Sequence, residues 1–304
     1  GLEIGGVTEK LLFLGFFIAF AIKAPMFPVH TWLPHAATEA RPATAVLLVG
    51  VLDKVGTFGM LRFCLQMFPE ASRWATPVVL VLAVISIIYG ALLAIAQKDM
   101  MRLIAFTSIS HFGFIVMGIF AMTTVSQAGS TLYMVNHGFT TAALFLVAGM
   151  LVARRGSRLI ADYGGWQRVT PLIAGTLLLS GLSALSLPGL NAFVSEFMVI
   201  VGTFQRYPVF AIIGATGVIL AALYILLWYQ KIATGPKPME VAARTHDMSV
   251  REKFVVAPLI AAFLVLGFFP KPVLDLLEPA VTTTLQHVGV TDPAPTISAE
   301  GSEG

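Results

Sequence analysis

Residues 43–68 read ATAVLLVGVLDKVGTFGMLRFCLQMF and form one apolar run with Asp53 and Lys54 near its middle. A run of this length can cross a bilayer, because a transmembrane helix needs about 20 apolar residues. Lys54 stands 11 residues into the run, which is about 16 Å along a helix that rises 1.5 Å per residue. An ionisable side chain at that depth costs about 2.5 to 3.5 kcal/mol and usually marks a functional position. The stretch therefore predicts a membrane helix that carries a functional lysine.

The rest of the chain has the same apolar character. Of its 304 residues, 57% are hydrophobic and only 12% are charged, whereas an average soluble domain has about 25% charged residues. The mean hydropathy is +0.85. Apolar stretches long enough to span a bilayer occur at residues 9–29, 43–68, 75–96, 100–122, 129–153, 171–205, 208–230 and 254–269. We predict an all-α integral membrane protein, a polytopic bundle of about eight transmembrane helices.

The basic residues lie in the segments between the apolar runs. The net charge is +3, but the cations form no continuous stripe, so we expect no nucleic-acid partner. Twelve Lys and Arg residues fall in the loops after the first, third, fifth and seventh spans, against three in the other loops and two near helix ends. Cytoplasmic loops carry the excess of positive charge. We therefore predict that these loops are cytoplasmic and that both chain ends lie on the outer side.

Two of the spans contain helix breakers. Pro25 and Pro28 follow Lys23 in the first span, and Pro188 and Gly189 lie in the sixth. Proline removes helical hydrogen bonds, and such breaks persist at membrane depth only against protein or a water-filled cavity. Breaks in two parts of one chain are typical of inverted-repeat transporters, whose ion path runs past them. The alternative is that both are simple proline kinks, which membrane helices tolerate.

Ionisable side chains lie inside five different spans: Lys23, Lys54, His111, His137 and Glu196. Histidine changes charge near neutral pH, and buried acidic and basic groups in membrane helices mark proton relays. We predict that these five residues form a buried proton relay. The alternative is a structural scaffold, in which the same polar groups only hold helices together.

Further polar residues are predicted to assist this relay: Asp53, Thr107, Ser108, Tyr133 and Thr140. The hydroxyl-bearing residues lie three or four positions from His111 or His137, so each shares a helix face with a histidine and can hold water there. Asp53 points about 100° away from Lys54 on a helix and is expected to balance the charge of that lysine or of a neighbouring cation.

The sequence lacks the patterns of other chemistries. It has no glycine-rich phosphate loop, no nucleophile elbow and no paired metal-ligand motif, and Cys64 is its one cysteine. We therefore expect no metal site and no redox active site in this chain. The chain does not begin with Met, and we expect the N-terminal part of a larger protein to precede it.

Five segments together resemble one family, the antiporter-like membrane subunits of respiratory complex I, NADH:quinone oxidoreductase. They are residues 23–34 (KAPMFPVHTWLP), 53–63 (DKVGTFGMLRF), 97–113 (QKDMMRLIAFTSISHFG), 136–138 (NHG) and 187–197 (LPGLNAFVSEF). Within the family, a glutamate in the late broken helix, here Glu196, resembles the M-type subunit, which is chain 4 in mitochondria. The L- and N-type relatives usually have lysine at that position.

The resemblance implies a subunit of fourteen helices, of which residues 1–270 hold the seventh to the fourteenth as an antiporter-like domain. Residues 271–304 are expected to form an interfacial helix and then a disordered tail. Lys23 would be the lysine of the broken seventh helix, Lys54 the connecting lysine of the eighth and Glu196 the terminal carboxylate of the twelfth, with the two histidines between them.

The resemblance also implies a function and a setting. The chain would translocate protons as part of a bacterial inner-membrane complex, coupled to electron transfer. FMN, iron–sulfur clusters and quinone would be bound by partner subunits, and the neighbours would be L- and N-type subunits and lipid. The alternative within the same fold is a subunit of a multisubunit sodium/proton antiporter or of a membrane-bound hydrogenase.

Overall fold

The computed structural model describes residues 5–239 and 244–294, and these are almost entirely helical. The helices are α1 (Gly6–Lys23), α2 (Trp32–Glu39), α3 (Pro42–Leu65), α4 (Pro69–Ile95), α5 (Met100–Ala121), α6 (Thr124–Arg155), α7 (Pro171–Ala184), α8 (Asn191–Arg206), α9 (Pro208–Ala233), α10 (Val250–Phe268) and α11 (Lys271–Val288). Within these ranges, extended pairing is limited to a single bridge between Asp99 and Leu159. The predicted all-α class is confirmed.

Among the described residues, five helices are long and apolar enough to cross a membrane: α3, α4, α5, α6 and α9. A sixth span results if α10 and α11, which meet at 72°, are counted as one. The predicted number of about eight is thus approximate. The main physical reason is that broken spans divide into short helices: α7 and α8 have 14 and 16 residues, and each falls short of the bilayer thickness.

Two interruptions divide helices. The helix α1 ends at Lys23, and the chain then passes through Pro25 and Pro28 without regular helix until α2. The spans expected from the sequence leave α2 inside a connecting segment. It forms there because its buried Leu33 and Ala37 pack beside α5. The second interruption separates α7 from α8, and it holds Gly189 at φ 92°, a conformation that favours glycine.

The helix α5 lies at the centre of the bundle. Its whole membrane-spanning window is buried, and it packs mainly against α4 and α6. A helix that is apolar on all sides belongs in a core, because it has no polar face to offer to solvent. His111 lies on this helix, so its imidazole is enclosed by protein on every side.

The loops that carry most of the Lys and Arg residues meet at one end of the bundle. Asp99, between α4 and α5, pairs with Arg158, between α6 and α7, at 3.4 Å. Arg158 also donates to the carbonyl of Thr38 in α2. Arg154 at the end of α6 pairs with Glu252 of α10 at 2.7 Å. The loops that carry the excess of Lys and Arg therefore share one end of the fold.

The helix α11 lies at the opposite end. Its buried Val281, Leu285 and Val288 pack against α6 and the last turns of α3. Gln66, directly after α3, donates to the Thr284 hydroxyl at 2.9 Å. A helix forms where the sequence predicts an interfacial one, and part of its apolar stripe packs on protein. Residues 295–304, which we predict to be disordered, lie outside the described residues.

The contact between α1 and α3 depends on a glycine. A Cβ at Gly56 would lie 2.4 Å from the Ala24 nitrogen and 2.6 Å from the Phe20 carbonyl oxygen. Gly56→Ala should therefore push α3 away from α1 and destabilise the protein by about 1–3 kcal/mol, as overpacking does. The thermal unfolding midpoint of the full-length protein in detergent measures this. Gly175→Ala is the control, because nothing lies within 4 Å of the added methyl. Equal midpoints for the two variants would contradict the prediction.

Candidate functional site

Lys54 turns its side chain into the bundle. A π-helical turn at Leu48–Leu52 precedes it, and the Asp53 amide donates back to the Leu48 carbonyl at 3.1 Å. Such turns alter which backbone carbonyls are free, and they often occur at functional sites. The Lys54 ammonium donates to the Val49 carbonyl at 2.5 Å and contacts His137 Nδ1 at 2.7 Å. The lysine is thus held by one backbone acceptor and one imidazole.

The two histidines lie side by side beyond Lys54. Their ring centroids are 5.3 Å apart and nearly perpendicular. On its other nitrogen, His137 Nε2 contacts the Thr141 hydroxyl at 3.1 Å. When Lys54 is charged, it donates to Nδ1, so Nε2 carries the ring proton and donates to Thr141. His111 Nε2 contacts the Tyr224 hydroxyl of α9 at 3.3 Å.

Glu196 is buried at the far end of this row. Its Oε2 accepts hydrogen bonds from the Tyr133 hydroxyl at 2.5 Å and from the Ser186 hydroxyl at 2.6 Å. Its Oε1 has no hydrogen-bond partner among the described residues. Ser186 lies in the break before α8 at φ 60°, a conformation that costs a non-glycine residue energy and is common at functional sites. The break thus supplies a donor to the carboxylate.

A network of amides and hydroxyls fastens this break to α6. Asn136 donates to the Asn191 carbonyl at 2.7 Å, and Asn191 donates back to the Asn136 carbonyl at 3.1 Å. The Ser183 hydroxyl donates to Asn191 Oδ1 at 2.6 Å and contacts the Thr140 hydroxyl at 2.7 Å. These bonds join α6 to both sides of the break. The Ser186 and Leu187 amides within the break donate to the Ser183 and Leu182 carbonyls at 3.1 and 3.0 Å, so these backbone groups find acceptors inside the protein.

The structure brings four of the five predicted relay residues into one row. Lys54, His137 and His111 follow one another, and the ring of Tyr133, which bonds Glu196, lies 6.0 Å from the ring of His111. The fifth, Lys23, lies at the end of α1, partly exposed, and no hydrogen bond of its ammonium occurs within the described part of the chain.

Four of the five predicted auxiliary residues divide into two groups, and the fifth, Asp53, is buried beside Lys54. Tyr133 and Thr140 take part in the networks around Glu196 and Asn191. Thr107 and Ser108 instead donate to the carbonyl of Ile104 on their own helix, at 2.8 and 3.1 Å. Hydroxyls in membrane helices often bond back in this way, so their spacing from His111 does not place them on its nitrogens.

Three further side chains contact the row of buried ionisable residues, and the sequence gives little indication of them: Thr141, Ser186 and Tyr224. Thr141 lies four residues after His137, a spacing that could have indicated the contact. Ser186 lies inside the break, and a hydroxyl close to proline and glycine only weakly indicates a contact with a buried carboxylate. Tyr224 lies in an apolar helix, and nothing in its local sequence connects it with His111.

The arrangement suits proton transfer. It places an amine, two imidazoles, two phenols and a carboxylate in contact or near contact inside an apolar bundle, and each of these can bind and release a proton or relay a hydrogen bond. The described residues include no group of three side chains that could hold a metal ion.

Comparison with known proteins identifies relatives of this chain. Residues 3–223 match the family model described as NADH:quinone oxidoreductase/Mrp antiporter, TM. NADH-quinone oxidoreductase subunit M of Mycobacterium tuberculosis is 60% identical over 289 residues, which are 95% of this chain and 52% of that protein. The chain therefore spans about half the length of the curated relatives it matches.

Two solved complexes have the same fold. Respiratory complex I from Thermus thermophilus contains a chain with a TM-score of 0.87 and 32% identity, over 95% of this chain and 61% of that one. The Mrp complex from a Dietzia species contains one with a TM-score of 0.79 and 23% identity, over 91% of this chain and 61% of that one. The second likeness concerns the fold alone.

The network between α6 and the second break generates a prediction. Asn191→Ala removes a side chain that donates to the Asn136 carbonyl and accepts from Ser183. Each buried partner left without a hydrogen bond costs about 1–3 kcal/mol, so the thermal unfolding midpoint of the full-length protein should fall clearly. Gln286→Ala is the control, since that amide is exposed on α11. If both variants unfold at the same temperature as the unmodified protein, the network does not support the break.

Proposed function

The chain belongs to the NADH:quinone oxidoreductase/Mrp antiporter family, and we propose that it is part of the M-type proton-translocating membrane subunit of a bacterial NADH:quinone oxidoreductase. The observation that carries the proposal is the contact of 2.7 Å between Lys54 Nζ and His137 Nδ1 inside an apolar bundle. An ionisable pair at that depth is costly and marks an ion or proton pathway. The 60% identity to a relative named subunit M favours the M-type.

The proposed pathway runs along the row of side chains. The Lys54 ammonium donates to His137 Nδ1, so the proton already lies along a hydrogen bond to its acceptor. When Nδ1 takes that proton, His137 gives up the one on Nε2 to the Thr141 hydroxyl or to the neighbouring imidazole of His111. Histidine suits this step because its two nitrogens can bind and release protons at the same time.

Glu196 is proposed as the terminal acceptor. Tyr133 and Ser186 both donate to Oε2 and so stabilise the ionised carboxylate. The other oxygen, Oε1, is the one left to receive the arriving proton. His111 and Tyr224 lie between His137 and Glu196 in the proposed pathway, since their contact of 3.3 Å continues the row toward the carboxylate.

The wider setting is part of the proposal. FMN, iron–sulfur clusters and quinone belong to partner subunits, and this chain contributes no redox site. Its neighbours are the L- and N-type subunits and membrane lipid. The basic end of the bundle faces the cytoplasm, because Lys and Arg accumulate on that side of a membrane. Both chain ends then lie on the outer side of the inner membrane, where Glu9 of α1 accepts from the Ala71 amide.

A second candidate is a subunit of a multisubunit sodium/proton antiporter or of a membrane-bound hydrogenase. The family description names the Mrp antiporter, and an Mrp complex shares the fold. The two candidates differ in their driving force. Proton movement driven by NADH oxidation supports the first, and sodium-dependent proton movement without NADH supports the second.

The central lysine provides the main test. In the full-length subunit within its complex, Lys54→Met should lower NADH-driven proton uptake by inverted membrane vesicles by about tenfold or more, because positioned proton-transfer groups contribute at least that much to rates. Fluorescence quenching of a pH-sensitive dye measures uptake at matched complex content. Lys237→Met, in an exposed loop, is the matched control.

Four results are decisive for this test. Uptake lost with assembly intact supports the relay. Normal uptake in the Lys54→Met vesicles makes the lysine structural, and lost assembly with normal uptake per complex favours a scaffold role. No NADH-driven uptake in unmodified vesicles rejects the oxidoreductase and leaves the antiporter or hydrogenase.

Glu196 allows a nearly isosteric test. Glu196→Gln keeps a carbonyl oxygen that can accept from Tyr133 and Ser186 but cannot bind a proton. We expect the complex to assemble normally while proton uptake per NADH oxidised falls. The paired control is Glu278→Gln on the exposed side of α11. A variant that pumps like the unmodified complex would remove Glu196 from the pathway.

A further inference from the structure

Asp53 is a buried carboxylate outside the row described above. Its side chain is 0% exposed, and neither carboxylate oxygen has a hydrogen-bond partner among the described residues. A buried carboxylate without partners is costly when ionised. It is tolerated where it takes up a proton or balances nearby cations. The neighbours of Asp53 therefore decide how its burial is tolerated.

Adjacent residues on α3 face different neighbours. Gly56 lies three positions after Asp53, and its Cβ position touches the Ala24 nitrogen at the break of α1. Gly50 lies four positions before Lys54, and its Cβ position is 3.5 Å from the Gly138 oxygen on α6. Residues three or four apart share a helix face. Asp53 is three positions from both glycines, so it lies between the face of α3 that meets the α1 break and the face that meets α6. Lys54 is directed toward α6, where it contacts His137.

Two lysines lie near Asp53 in the fold. Lys54 follows it in sequence, and Lys23 directly precedes Ala24, whose backbone packs against α3 at Gly56. The ammonium of Lys54 is engaged by Val49 and His137. Lys23 is the one predicted relay residue that does not lie in the row formed by Lys54, the two histidines and Glu196. A carboxylate between the two lysines occupies the gap between Lys23 and the rest of the row.

We propose that Asp53 is a proton-transfer residue that links Lys23 at the break of α1 to Lys54 on α3. The inference rests on the proposed function and extends it to a residue to which that function assigns no step. The Lys23 ammonium gives its proton to the Asp53 carboxylate, which leaves a neutral amine and a carboxylic acid. The acid then protonates the neutral Lys54 amine, which restores the carboxylate and the ammonium that donates to His137.

The test compares two substitutions in the full-length subunit within its complex. Asp53→Asn keeps the size but cannot carry a proton, so NADH-driven proton uptake by inverted vesicles should fall about tenfold or more at matched complex content. Asp53→Glu keeps the acid and should retain most of the uptake. Asp275→Asn is the matched control, because that side chain is 55% exposed and pairs with Lys271 on α11.

Infrared difference spectra of the working complex supply a measurement that survives poor assembly of Asp53→Asn. A residue that takes up a proton contributes a carboxylic-acid C=O band. That band should appear in the unmodified complex and change position in the Asp53→Glu complex. If the spectra of these two complexes are the same, Asp53 does not change protonation and the inference fails.

The outcomes separate this inference from the proposed function. If unmodified vesicles pump and Asp53→Asn pumps equally well, the link through Asp53 is wrong while the proposed function stands. If Asp53→Glu pumps no better than an assembled Asp53→Asn complex, the acid itself is not what matters, and the inference also fails. If unmodified vesicles show no NADH-driven uptake, the proposed function falls and takes this inference with it.

Discussion

An ionisable group inside this bundle is costly unless the protein supplies its partners, because the membrane interior offers none. That requirement is most acute at Lys54, in the middle of an apolar helix. A π-helical turn precedes the lysine, and the carbonyl of Val49 within that turn accepts from the ammonium. His137 on α6 offers the second acceptor. Local helix geometry and helix packing together make the charge tolerable, and the same contacts place it beside an imidazole.

The same requirement explains the second break. The break between α7 and α8 frees backbone groups at membrane depth, and the amides of Ser186 and Leu187 find acceptors in carbonyls at the end of α7. The paired amides of Asn136 and Asn191 then tie the start of α8 to α6. The interruption also allows Ser186 to reach Glu196. The break thereby helps to position the Glu196 carboxylate, which also accepts a hydrogen bond from Tyr133 of α6. Stability and the proposed proton path depend on the same few contacts.

Much of this could be predicted from the sequence. Long apolar runs establish a membrane helix bundle, because nothing else can bury so much apolar surface. The prolines shortly after Lys23 and before Asn191 locate the interruptions, since proline removes a helical hydrogen bond and favours a break there. The number of spans was harder to predict from the sequence. A broken span forms one apolar run in the sequence, whereas the structure divides it into short helices such as α7 and α8.

The sequence by itself determined which ionisable residues lie at membrane depth, because their position in apolar runs follows from helical rise alone. It did not determine their burial, since Lys23 is partly exposed. The tertiary structure alone decided which of them meet. The contacts of Lys54 with His137, of Tyr133 with Glu196 and of Tyr224 with His111 join residues 83, 63 and 113 positions apart. Such pairings depend on how helices pack and rotate against one another. Local periodicity carries no information about that arrangement.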